Sequence, residues 1–201
     1  MDKLQILASP WWVNLAVLVP LGSYFLWHKK GLNVSWSHIV LTAIFAIAFG
    51  INEAVVVVYL RAAVGLLPNF ATALSQTVPL DAYQQQQLLE ALPQTLILVE
   101  IIRETATIIV LGVVAWITAR EWRERWAFFL WMFAFWDIFY YIGLWAIVRW
   151  PYSLLTPDIL FLIPVPWVAQ IWFPALVSLL AIAVLLIGKR NHTAALEREK
   201  F

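Results

Sequence analysis

Five apolar runs, each of roughly twenty residues or more, constrain this chain more than any other feature of its sequence. A bilayer core about 30 Å thick is crossed by roughly 20 apolar residues of helix. The runs lie near 10–27, 37–60, 95–118 and 126–149, and a longer one over 158–188 is interrupted by Pro164, Pro166 and Pro174. They predict an all-α fold: one polytopic integral membrane helix bundle of about five transmembrane helices. The last helix, near 167–188, is broken by prolines. A short half-helix at 157–163, or a re-entrant segment, is predicted ahead of it, because Thr156-Pro157-Asp158 resembles a helix start with a capping residue and proline at the first position. Residues 62–94 form a long outer segment, within which 81–92 (DAYQQQQLLEAL) has the pattern of an amphipathic surface helix.

Composition agrees and narrows the functional classes. Hydrophobic residues make up 63% of the chain and charged ones 12%, against about a quarter charged in soluble domains. A net charge of +1 offers no electrostatic footprint for nucleic acid. Without cysteine there is no disulfide, thiolate metal site or thiol nucleophile.

Charge placement predicts topology. The first run begins after Asp2 and Lys3 and ends at His28-Lys29-Lys30, which reads as a retained span rather than a cleaved signal. Outside the spans, Lys29, Lys30, Arg120, Arg123, Arg125 and the four basic residues of the tail fall in alternate compartments from Lys3, Arg61 and Arg149, nine against three. The positive-inside rule then places the N-terminus outside and the C-terminus in the cytoplasm of the plasma (inner) membrane. Trp11, Trp12, Trp145 and Trp150 are expected in one interfacial belt, with Trp27, Trp36, Trp116, Trp122 and Trp126 in the other.

Four acids stand inside these spans: Glu53, Glu100, Glu104 and Asp137, joined by Arg103. An ionisable residue at a helix centre costs roughly 2.5–3.5 kcal/mol on insertion scales, so such residues point to function. Their predicted depths agree. At ~1.5 Å per residue, Glu53 and Glu104 lie about 10 and 13 Å below the outer boundary and Asp137 about 18 Å, with Tyr140 and Tyr141 one turn above it. Glu100, Arg103, Glu104 and Thr107 share one stripe of their helix. Thr42, Ala43, Ala46 and Gly50 give the Glu53 helix a face of small residues suited to close packing.

Four carboxylates and one guanidinium sum to −3 if all are ionised, which a low-dielectric interior does not tolerate uncompensated. Protons, a bridging metal ion or a wet cavity would each relieve it. The plainer reading makes Glu100–Arg103 and Glu53–Asn52 structural hydrogen-bonding partners. The expected site comprises Glu53, Glu100, Arg103, Glu104, Asp137, Tyr140, Tyr141, Asn52 and Asp158, with Gln170 nearby. Glu53, Glu100, Glu104 and Asp137 are the metal-ligand candidates, and a divalent ion is the candidate cofactor, because all-oxygen ligation suits Mg²⁺, Ca²⁺ or Mn²⁺.

Three functions fit these residues. The first is an outward-facing carboxylate cluster that binds a cation, a proton or a hard divalent metal, for transport or ion passage. The second is a membrane-embedded metal-dependent enzyme acting on a lipid or other membrane-soluble substrate. The third is an accessory subunit of a membrane complex. The bilayer is the expected partner, with a cation or small cationic ligand, and a second copy or a larger complex beside it. Di-metal helix bundles usually carry Glu-x-x-His pairs, whereas His28, His38 and His192 lie outside the cluster. No span contains a lysine, there is no G-x-S-x-G or H-E-x-x-H motif, and no glycine-rich phosphate loop.

Overall fold

The computed structural model describes residues 7–63 and 94–198. The expected outer segment falls almost wholly outside the described residues, and so does its amphipathic stretch 81–92. The described chain is mostly helical. A tight 3₁₀ helix, Trp11–Val17, runs into α1, Leu18–Trp27, followed by α2, Trp36–Ala63, α3, Gln94–Thr118, and α4, Trp122–Val148. Two short strands, β1, Pro157–Phe161, and β2, Trp167–Gln170, precede α5, Trp172–Arg198. Among the described residues three helical stretches, Trp36–Leu60, Trp122–Val148 and Trp172–Thr193, are long and apolar enough to cross a membrane. Their outward faces are apolar too: Val40, Leu41 and Ile44 on α2 and Leu176 and Leu179 on α5 are exposed. Such faces suit lipid and not water.

α4 is the central helix, packed against α2, α3 and α5. The α2–α4 contact is the most extensive and depends on small residues. Thr42, Ala46, Gly50, Glu53 and Ala54 form the buried face of α2. A Cβ on Gly50 would stand 2.4 Å from the Trp136 carbonyl oxygen, and one on Gly143 2.8 Å from the Ala54 Cβ. Only glycine lets the two backbones approach this closely.

The segments bearing most of the charge meet at one end. Lys189 Nζ donates to the Val34 carbonyl at 2.5 Å and Asn191 Nδ2 to the His28 carbonyl at 3.2 Å. Asn33, Val34 and His38 line one cleft with Thr118, Arg120 and Glu121. Lys29, Lys30, Arg120 and Arg123 thus share an end with Lys189 and Arg190. Two tryptophans expected in the interfacial belts are instead buried. Trp27 donates its indole N–H to the Val184 carbonyl at 3.1 Å and rests on Gly188, and Trp150 packs on Tyr141.

The half-helix predicted at 157–163 is not helical. Residues 157–170 form an antiparallel hairpin in which Pro157 pairs with Gln170, Asp158 with Ala169 and Ile159 with Val168, then Phe161 with Trp167 past an irregularity. Thr156 does not cap a helix: its hydroxyl accepts the Ser153 N–H at 3.1 Å and its carbonyl accepts the Ile171 N–H at 3.1 Å, closing the base of the hairpin. Pro164 and Pro166 each remove a donor and fix φ, so a helix begun at Pro157 could not continue past Ile163. The far edge of β2 is covered by Ser9, which exchanges two 2.8 Å backbone hydrogen bonds with Val168.

The hairpin plunges along α4. Asp158 is bonded to Tyr141, while Phe161 stacks on Phe133 at 6.2 Å between ring centroids. Three residues of strand advance about 10 Å and the helical step from Tyr141 to Phe133 about 12 Å, so β1 lies nearly along α4 and its tip reaches the middle of that helix. Non-helical backbone at such depth is tolerated where protein encloses it or a cavity adjoins it.

Candidate functional site

The acids gather around the hairpin and the middle of α4. They are met by partners from α3, α4, α5 and the hairpin and do not form one centre.

The first group joins α2, α3 and α4. Glu53 is 4% exposed. Its Oε2 accepts the Thr107 hydroxyl at 2.8 Å and the Trp136 indole N–H at 3.4 Å, and its Oε1 faces the Arg103 guanidinium. Arg103 reaches back one turn to Glu100, with Nε and Nη2 donating to Oε2 at 3.0 and 2.6 Å. Helical i, i+3 spacing sets that contact. Arg103 and Glu100 are 20% and 23% exposed, so this ion-pair group reaches the edge of the packed core, while Glu53 anchors it inside.

The second group seats the hairpin. Glu104, on the buried stripe of α3, accepts the Leu162 backbone N–H at 2.9 Å at the end of β1. Asp158, near its start, accepts the Tyr141 hydroxyl at 2.9 Å. Both acids are buried. A third contact lies between α4 and α5, where buried Asp137 accepts the Ser178 hydroxyl at 2.9 Å. Tyr140 stacks on Trp136 at 6.1 Å. Gln170, also buried, accepts the Trp172 indole N–H at 2.9 Å at the base of β2.

Asn52 is a correction. Its side chain is exposed although Glu53 beside it is buried, because successive residues on an α-helix are turned by about 100°. It does not share Glu53's surroundings. Nor are the four metal-ligand candidates drawn into one shell: among the described residues, no group of three or more His, Cys, Asp or Glu side chains is placed to hold a metal ion. Glu53 and Glu100 share Arg103, Glu104 is committed to Leu162 and Asp137 to Ser178.

Sequence reasoning missed Ser178, Trp136 and the Leu162 N–H as partners. Ser178 was detectable, as the one hydroxyl in the apolar stretch 174–188. A backbone donor has no sequence signal.

Chemically the partners are of two kinds. A hydroxyl can turn, donating to a carboxylate and accepting from a carboxylic acid. Asp137–Ser178 and Asp158–Tyr141 can therefore hold a proton on either side of the contact without losing it. The Leu162 N–H only donates, so its contact with Glu104 cannot reverse and is stronger to a carboxylate than to the neutral acid. Toward the basic end the core turns apolar, with Phe128, Trp131, Met132, Leu111, Ala115 and Leu185 buried together. The carboxylates lie on the hairpin side of this layer. Compared with models of known protein families, with curated proteins and with solved structures, the chain matches none.

Proposed function

We propose that this is an integral membrane protein that binds protons in its membrane core, on the outward side, as part of proton-linked transport. The proposed architecture has five crossings, of which three are the long apolar helical stretches on α2, α4 and α5. The 3₁₀ helix and α1 together rise about 29 Å, close to the hydrocarbon thickness, and α3 supplies the remaining apolar span. The gathering of Lys29, Lys30, Arg120, Arg123, Lys189 and Arg190 at one end favours that end as cytoplasmic in the plasma membrane, with the N-terminus and the hairpin base outside.

The observation that carries the reading is the number of buried carboxylates held by neutral donors. Arg103 compensates Glu53 and Glu100, leaving Glu104, Asp137 and Asp158, all buried, with an amide or a hydroxyl in contact. Keeping all three ionised in a low-dielectric core is expensive. Protonation relieves that expense, and the reversible hydroxyl partners of Asp137 and Asp158 suit repeated exchange. A proton is favoured over a divalent metal because the acids are spread among separate contacts. The apolar layer beneath them separates the acids from the basic end, so passage across the membrane requires a rearrangement of the core.

Proton uptake into proteoliposomes under an imposed potential tests this. Asp137→Asn and Asp158→Asn are each expected to lower uptake about a hundredfold or more, the low end of what a positioned proton-transfer group contributes, and Glu121→Gln at the basic end is expected to leave it unchanged. Equal uptake by Asp137→Asn and wild type would sink the proton reading, and one divalent ion per chain by elemental analysis would replace it with a metal one.

A further inference from the structure

The hairpin Pro157–Gln170 is latched by two carboxylates of unequal character. At its base, Tyr141 and Asp158 form a contact that survives either protonation state of the acid, because the hydroxyl can reverse. At its tip, Glu104 accepts from the Leu162 N–H at 2.9 Å, and that donor cannot reverse. A hydrogen bond to an ionised acceptor is roughly twice as strong as one between neutral groups, so a proton on Glu104 weakens the tip latch and leaves the base latch in place. Beyond Leu162 the tip consists of Ile163, Pro164, Val165 and Pro166, all exposed. Two of these four residues lack an N–H, so the tip can shift through apolar surroundings while stranding few donors. On the α4 side the other hold on it is aromatic, Phe161 stacking on Phe133 and meeting Trp136 at 6.4 Å. Behind the tip β2 stays tied by Ser9 to Val168 and by Trp12 to Trp167, so the tip moves about that tether.

We infer that the hairpin is a proton-operated plug: ionised Glu104 holds its tip seated against the middle of α4, and proton uptake by Glu104 lets the tip leave that seat. Trp136, which the tip covers, also donates to Glu53, so the plug stands directly beside the ion-pair group. Among the described residues, the charged and titratable groups of the acid layer around Glu104 are Arg103 and Glu100 on its own helix, Glu53 on α2, Asp137, Tyr140 and Tyr141 on α4 and Asp158 on the hairpin. Arg103 is the one cation among them, and it is engaged with Glu53 and Glu100. The inference rests on the acid layer being reached by protons, as proposed above, and adds the part that moves.

The absence of native cysteine makes distance measurement direct. Spin labels at Val165→Cys on the tip and Ile109→Cys on α3, both exposed positions, report the separation in nanodiscs. Between about pH 8 and about pH 5 the mean distance is expected to shift by about 3 Å or more, the advance of one strand residue. In Glu104→Gln the shifted distance is expected at both pH values, and Leu162→Pro, which deletes the donor and keeps Glu104, should behave the same way. One unchanged distance in wild type across that range overturns the plug, whether or not either variant folds. Loss of uptake in Asp137→Asn with the distance shift intact leaves the plug standing. An intact uptake with no distance shift removes the plug alone.

Discussion

Arg103 serves two carboxylates at once, and removing it differs in kind from removing either of them. Arg103→Met would leave Glu53 buried without its cation and Glu100 without its one-turn partner. Breaking a buried pair from one side costs about 3–5 kcal/mol, and the lower end applies because 20% of Arg103 is exposed. Glu53→Gln keeps an acceptor for Thr107 and Trp136 and leaves Arg103 with Glu100, so its loss is expected near 1 kcal/mol, one net hydrogen bond. Thermal unfolding in detergent should rank wild type above Glu53→Gln and Glu53→Gln well above Arg103→Met; the reverse order of the two variants would show that Glu53 is not held by Arg103. The stripe Glu100, Arg103, Glu104, Thr107 was legible because helical spacing alone aligns it. That Thr107 would serve Glu53 across the α2–α3 contact, and that Glu104 would turn to a backbone amide, depended on partners distant in sequence.

At the scale of elements, the α2–α4 contact and the hairpin carry the architecture. Gly50→Ala places a methyl group 2.4 Å from the Trp136 carbonyl oxygen, and a backbone atom cannot yield as a side chain can. The helices must part locally, at about 1–3 kcal/mol, and the Trp136–Glu53 contact should loosen with them. Gly112→Ala meets nothing within 4 Å, and alanine is the better helix former by up to about 1 kcal/mol, so it should be neutral or stabilising. A common loss of stability for both substitutions would mean that glycine is needed for helix flexibility and not for this approach. The helices were readable because each is a long apolar run. The hairpin was not, since Thr-Pro-Asp opens a helix or a strand equally well. The choice was made by the pairing of Asp158 with Ala169 and by Ser9 covering the far edge of β2, both beyond the reach of local sequence.

For the whole molecule, orientation is the property on which the proposed function most depends. Single cysteines can be introduced into this cysteine-free chain at Lys30, Arg120 and Leu154, all exposed. An impermeant thiol reagent applied outside intact cells should label Leu154→Cys and spare Lys30→Cys and Arg120→Cys. Labelling of Lys30→Cys from outside would invert the topology and turn the carboxylates toward the cytoplasm. The hairpin also bears on how the chain is assembled. Fourteen residues of extended, proline-punctuated chain cannot be inserted laterally as a helix, and their partners reside on α3, α4 and the segment before α1. Glu104, Phe133 and Ser9, the partners of the hairpin's tip and far edge, all precede it in the chain, so every one of those seats is already synthesised when the strands that fill them emerge.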